Sequence, residues 1–291
     1  MRLLMFRAGD GPRLGALRPG HDDEVVELTE PGGMLELIDA GEDGLAAVRS
    51  RLSSSKARTH RLSDVELLAP LPAPRGNVIA MGRNYQKHAE ESARKEGYEP
   101  KPPTIFTKAI TSLTEPYADI AIDPNISDQI DWEAELAIVI GKRGANIKHQ
   151  EAMPYVFGYM ALNDVTARDI QNGFGGQYFK GKSLDRTCPI GPWIVTPDDI
   201  ADPQALAVRL RLNGVLKQDG NTRDMIYPLD AIIEWSSMGM TLLPGSIIAT
   251  GTPEGVGFYR TPTEVIQPGD VMETDVEGIG ILRNRFISAG D

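Results

Sequence analysis

Two glutamates one residue apart, Glu133 and Glu135, stand at the start of the apolar run Leu136-Ala137-Ile138-Val139-Ile140. Side chains on a strand alternate faces, so both point the same way, with Cα atoms roughly 6.5 Å apart. Ionised carboxylates held side by side raise one another's pKa, whereas a hard cation reverses that sign and keeps both deprotonated. A divalent metal is the chemistry this spacing suits. Taken alone, Glu-x-Glu also reads as a solvated strand start. Asp164 follows the apolar run Val156 to Leu162 and precedes the helical pattern Thr166 to Gln171. There it either caps a helix or completes a face of carboxylates with Glu133 and Glu135. Oxygen donors with open positions suit Mg²⁺ or Mn²⁺ better than Zn²⁺, and four scattered histidines offer no His-based zinc site.

Other segments carry chemistry of their own. Asn84 to Glu91 reads as a short polar helix after the strand Asn77 to Met81. His88 and Glu91 share one face of it at i, i+3. A carboxylate beside an imidazole raises its basicity and fixes its tautomer, as a general base requires; the plainer reading is an exposed pair. His21, His60 and His149 have no partner at ligand spacing and are expected on the surface. Gly176 to Ser183 fits the P-loop expression, but Pro189 and Pro192 forbid the helix that phosphate binding needs. Lys182 is instead a candidate charge near a developing oxyanion. From Ile247 to Gly257 a buried strand runs into a Gly-rich turn, whose amides and threonine hydroxyls suit a carboxylate.

The elements that must position these groups are mostly strands. Short runs bounded by Gly or Pro occur at Asn77 to Met81, Thr104 to Lys108, Trp132 to Ile140, Phe157 to Leu162, Trp193 to Thr196, Ile247 to Thr250 and Val271 to Val276. Val208 to Leu212 and Val215 to Gln218 flank Asn213-Gly214, the pair a type I′ hairpin favours. Pro244-Gly245 and Pro268-Gly269 read as turns that launch strands. Without regular βα alternation, a β-rich α+β fold with coiled or rolled sheets is predicted. Residues 1–69 are expected to form a small N-terminal α+β domain, with a first strand at Met1 to Arg7 and helices near Met34 to Ala40 and Leu45 to Leu52. Pro70-Leu71-Pro72-Ala73-Pro74 then leads into a main domain over 70–291.

Composition narrows the partners. A chain of 291 residues that is 41% hydrophobic has ample core. Its net charge of -11, without a Lys/Arg run, excludes a nucleic-acid footprint and an anionic membrane surface. Small molecules are the expected partners. The single cysteine, Cys188, admits no internal disulfide and is compatible with a reducing compartment. No window approaches ~18 apolar residues, so the cytoplasm is expected.

Met81-Gly82-Arg83-Asn84-Tyr85, Asp131 to Lys142, Asn163 to Gln171, Gly181-Lys182-Ser183 and Thr250 to Gly257 follow one another in a family order across most of residues 75–287. In this the chain resembles the fumarylacetoacetate hydrolase family, specifically its shorter prokaryotic-type members. The resemblance implies a mixed β-roll, a homodimer, and Glu133, Glu135 and Asp164 as ligands of Mg²⁺ or Mn²⁺. It implies that Lys182, Arg168 and Gln171 polarise a substrate carbonyl or meet an oxyanion. His88 and Glu91 would activate water on a mobile lid, and Thr252 and Arg83 would hold a substrate carboxylate. The additional Asp ligand of the long eukaryotic members has no counterpart motif here, nor do their pocket tyrosines within Gln171 to Gln177. The expected reaction is metal-assisted hydrolysis of a C–C bond in an acylpyruvate or related 2,4-dioxo acid, releasing pyruvate or a pyruvate-like acid. Oxaloacetate decarboxylation and isomerisation of a hydroxymuconate-type dienoate are the alternatives on the same metal. A P-loop-like nucleotide binder and a metal-free binding protein are the alternatives from other classes.

Overall fold

A computed structural model describes residues 1–9, 11–29, 32–94, 96–98 and 101–290. Its largest sheet has twelve strands, ten of which lie along one path. That path runs Thr59–Arg61, His21–Leu28, Pro12–Arg18, Arg2–Arg7, Cys188–Val195, Val156–Asn163, Ala134–Ile140, Ile247–Ala249, Val78–Gly82 and Thr104–Lys108. Neighbours on it are antiparallel except Ile247–Ala249 with Val78–Gly82. A second, five-stranded sheet runs Val215–Asn221, Ala207–Leu212, Val271–Val276, Gly280–Ser288 and Ile120–Ile122. The fold is the strand-rich, mixed α+β class that the sequence predicts.

The strand Ala134–Ile140 is buried at every residue, and alternation divides its side chains between two cores. Leu136, Ile138 and Ile140 pack with Val208, Leu210 and Leu282 of the second sheet. Ala137 and Val139 face the other way, into a core shared with Leu3, Leu37 and Val48 from the N-terminal strands and helix. Each leucine, isoleucine or valine side chain so buried contributes about 1.5–3 kcal/mol. Glu133 and Glu135 continue the row of Ala137 and Val139 toward the strand's start, so the apolar packing that anchors this strand also fixes where the carboxylates emerge.

The N-terminal residues build onto the same sheet, because Arg2–Arg7 pairs antiparallel with Cys188–Val195. The two expected helices form one span, Met34–Leu52, interrupted at Gly41 with φ 55° and ψ -133°; glycine takes that conformation without a Cβ clash. Pro70 to Pro74 lies in neither helix nor strand. The hairpin turns where expected, with Asn213 at φ 52° and Gly214 at φ 77°, both in the left-handed region a type I′ turn needs. His60 departs from expectation. Its strand sets it half-buried against Phe6, at 5.3 Å between ring centroids, with Nε2 2.9 Å from Glu27 Oε2. His21 and His149 are exposed.

Candidate active site

Antiparallel pairing of Ala134–Ile140 with Val156–Asn163 sets Ala134 against Asn163. The next residue, Asp164, donates its N–H to the Glu133 carbonyl at 2.9 Å. Glu133, Glu135 and Asp164 thereby bring one carboxylate oxygen each within 4.8 Å of one another, and all are buried. The capping alternative for Asp164 is excluded, since the helix Arg168–Gly173 starts after Ala167 with no side-chain cap.

Buried cations stand against this cluster. Lys182 Nζ lies 2.7 Å from Glu133 Oε2 and 2.8 Å from Asp164 Oδ2. Arg168 Nη2 is 2.7 Å from Glu133 Oε1 and from Asp131 Oδ2. Lys108 Nζ is 2.6 Å from Asp164 Oδ1 and donates to the Lys182 carbonyl. The backbone reaches this packing because residue 181 is glycine. A Cβ there would lie 2.5 Å from the Gln171 nitrogen and 2.7 Å from the Ala167 carbonyl oxygen. No helix follows Ser183, and Gly176 to Ser183 is turn apart from Gln177 and Ser183, which removes the P-loop reading.

The carboxylates are not equally compensated. Burial pushes the Glu133 carboxyl up, but the ammonium of Lys182 and the guanidinium of Arg168 more than reverse this and hold it at about 2. Burial also drives Glu135 up, and Asp164 and Glu133 drive it further, to well above the usual carboxylate range. Its hydrogen-bond partner is the Gly251 N–H at 2.7 Å, and among the described residues it forms no ion pair. Lys182 remains protonated: burial works against its charge, yet Asp164 and Glu133 raise its pKa. Hard oxygen donors converging in a buried site short of positive charge fit a divalent cation of the Mg²⁺ or Mn²⁺ kind. Glu133, Glu135 and Asp164 are the residues that would hold it.

Arg83, His88, Glu133, Arg168, Gln171, Lys182 and Thr252 line one pocket. Glu91 stands behind His88, and Glu135 and Asp164 stand behind Glu133 and Lys182. The helix Gln86–Ala93 buries His88 and sets its Nδ1 2.8 Å from Glu91 Oε1, which makes the exposed-pair reading untenable. Glu91 Oε2 also accepts the Gly255 N–H at 3.3 Å. Arg83 has φ 56°, and its Nη1 donates to the Tyr98 hydroxyl at 3.4 Å; among the described residues it pairs with no carboxylate. The Thr252 hydroxyl is committed within the protein, donating to the Ala134 carbonyl at 2.9 Å and accepting from Gln218 Nε2 at 2.8 Å. Gln171 Oε1 accepts from Arg168 Nη1 at 3.0 Å.

Sequence reasoning passed over Lys108, Asp131, Tyr178 and Tyr259. Lys108 had a signal: alternation along Thr104–Lys108 puts it on the face of Phe106, whose ring centroid is 5.3 Å from Lys182 Nζ. Asp131 accepts from Gly257 N–H at 2.7 Å and Phe258 N–H at 3.1 Å while holding Arg168. Tyr178 and Tyr259 form part of the pocket wall, and Tyr178 sits one residue beyond Gln177.

Residues 77–287 match the family model described as fumarylacetoacetate (FAA) hydrolase C-terminal. The chain belongs to the fumarylacetoacetate hydrolase family and is an enzyme of that superfamily. It is 40% identical to the mitochondrial oxaloacetate tautomerase FAHD2B of Bos taurus over 99% of this chain and 92% of that protein. It is 41% identical to the oxaloacetate tautomerase YisK of Bacillus subtilis (strain 168), over 91% and 90% of the two chains. The maleylpyruvate hydrolase of Sphingobium sp. SYK-6, solved with manganese(II) and pyruvate, is similar at a TM-score of 0.81 and 31% identity, covering 99% and 100% of the two chains. No helix among the described residues is long and apolar enough to cross a membrane.

Proposed function

We propose that this enzyme interconverts the keto and enol forms of a short 2-oxo dicarboxylic acid of the oxaloacetate kind, with Mg²⁺ or Mn²⁺ held by Glu133, Glu135 and Asp164. The observation that carries this reading is the His88–Glu91 pair, whose imidazole faces the same pocket as the edge of the carboxylate cluster and Arg83, which has no carboxylate partner among the described residues. The full-length likeness to oxaloacetate tautomerases supports it.

A bound divalent cation supplies Lewis acidity to the 2-oxo carbonyl of the substrate. Glu91 accepts the Nδ1–H of His88 and so leaves Nε2 as the nitrogen that takes the proton from the carbon beside that carbonyl. The proton then passes to the carbonyl oxygen, and the reverse route regenerates the keto form with no net change in protons. Lys182 and Arg168 supply a fixed positive field where negative charge develops on that oxygen. Arg83 meets the second carboxylate of the substrate, and Phe106, Tyr178 and Tyr259 form the pocket's aromatic wall.

The test follows ketonisation of enol-oxaloacetate by ultraviolet absorbance with Mg²⁺, with Mn²⁺ and with chelator. Metal-dependent acceleration that His88→Ala lowers by about 10²–10⁴-fold is the expected result. No acceleration by the wild-type enzyme with either metal overturns the proposal.

Hydrolysis of an acylpyruvate is the second reading, favoured because the same His88 can take a proton from water and because a maleylpyruvate hydrolase is among the similar structures. Decarboxylation and dienoate isomerisation would start from the same groups. Assays that separate pyruvate, carbon dioxide and tautomer as products distinguish these outcomes. A homodimer is part of the proposal, and light scattering of the purified enzyme tests it.

A further inference from the structure

The strand Ala134–Ile140, which Glu133 immediately precedes and which carries Glu135, has a neighbour on each edge, but one neighbour stops early. Val156–Asn163 pairs along it as far as Ala134, whereas Ile247–Ala249 pairs only with residues 137–139. Beyond that point Thr250 donates to the Leu136 carbonyl, from its N–H at 3.1 Å and its Oγ1 at 2.8 Å. At Ala134, between Glu133 and Glu135, side chains finish the edge. Gln218 Oε1 accepts the Ala134 N–H at 2.9 Å, and Thr252 Oγ1 donates to the Ala134 carbonyl at 2.9 Å. The Gln218 amide nitrogen then donates to Thr252 Oγ1 at 2.8 Å and to the Pro253 carbonyl at 2.9 Å. Gln218 belongs to the second sheet, is buried, and fills this gap with both ends of its amide. Close approach is built in two residues further on: a Cβ at Gly220 would lie 2.3 Å from Pro253 Cβ.

We propose that Gln218 is a positioning residue that replaces the missing strand at Ala134, sets the spacing of Glu133 and Glu135, and so sets the affinity of the site for its divalent cation. The inference rests on the metal reading given above. An amide is needed because the gap calls for one acceptor and two donors at once. A glutamate would accept from Ala134 but has no N–H for Thr252 or Pro253, and a methionine would fill the volume and make none of the bonds. Because the same amide holds Thr252, it ties the pocket loop to the metal-binding strand.

The experiment measures Mn²⁺ binding to the metal-free full-length protein by calorimetry, together with the electron paramagnetic resonance line shape of the bound ion. Gln218→Met is expected to bind Mn²⁺ about 10- to 100-fold more weakly than wild type, with an altered line shape. Val25→Ala, which trims a separate core among the N-terminal strands that holds no residue of Ala134–Ile140, is expected to lower the melting temperature and leave Mn²⁺ affinity unchanged. Wild-type affinity and line shape in Gln218→Met overturn the proposal. So does an equal loss of affinity in Val25→Ala at a matched loss of melting temperature. Should Gln218→Met not fold, Gln218→His, which keeps one donor and one acceptor, is measured instead; weaker binding supports the proposal and wild-type affinity sinks it. Failure of wild type itself to bind Mn²⁺ removes the metal reading and this inference with it, a result separate from any difference between variants.

Discussion

Glu27 and Glu135 are both buried glutamates on strands of the same sheet, and their surroundings are opposite. Glu27 is met by Arg13 Nη1 at 2.6 Å, His60 Nε2 at 2.9 Å and Arg58 Nε at 3.5 Å. Burial pushes its carboxyl up, but hydrogen bonds from His60 and Arg13 and the nearby positive charge bring it below the usual range. Glu135 has a single backbone N–H, two carboxylates for neighbours, and a pKa driven upward. A carboxylate that serves the fold has its counter-charge supplied by the chain. One that serves a ligand leaves part of that charge to be brought in, and the fold carries the cost until it arrives.

Neutralising each glutamate should therefore act in opposite senses. The largest effect is expected from Glu135→Gln and Asp164→Asn, which should lower metal-dependent turnover by about 10³-fold; steady-state assays over a metal titration check this. In chelator, Glu135→Gln should melt no lower than wild type, because a buried repulsion has been removed. Next comes the response to the ion itself: at a hundred times Kd, Mn²⁺ should stabilise wild type and Glu27→Gln alike by about 2.7 kcal/mol, and Glu135→Gln hardly at all. Calorimetric unfolding with and without Mn²⁺ decides it. Glu27→Gln should cost about 1–2 kcal/mol in denaturant unfolding at neutral pH, a modest value because Arg13 and Arg58 are partly hydrated.

The smallest effect is one of pH. The folded pKa of Glu27 lies below its unfolded value near 4.5, so its contribution is fully present above that value and fades as pH falls through the folded one. The stability difference between wild type and Glu27→Gln should accordingly close as pH drops below 4.5. A gap that persists or widens there would contradict the assignment.

What the sequence revealed follows the range of the interactions. The Glu-x-Glu strand, the Asn213-Gly214 hairpin and the His88 helix are written in local alternation, turn chemistry and i, i+3 spacing. The ends of Val156–Asn163 and Cys188–Val195 run beyond the apolar stretches because neighbouring strands carry the pairing past them. Asp131 and Gln218 were not legible, and strand alternation gave the face of Lys108 but not its partner, since each acts on residues distant in the chain. Lys108 meets Asp164 56 positions away, and Gln218 reaches Ala134 across 84. His60 looked like a surface residue for the same reason, its partner Glu27 lying 33 positions back. Lys182 was legible as a candidate charge near an oxyanion, from its motif and from the family resemblance, but not as the partner of the carboxylates. Its place against Glu133 and Asp164 comes from the close approach that Gly181 permits.

The loop from Thr250 to Gly257 behaves as a shared hinge pin. Gly251 holds Glu135, Gly255 holds Glu91 and Gly257 holds Asp131, so three separate levers pivot on a few consecutive peptides. An outward swing of the His88 helix would pull on the Gly255 link and, a few peptides upstream, on the Gly251 N–H that holds Glu135. On the proposed function, product release and loosening of the cation are therefore expected to be coupled, their rates rising and falling in step.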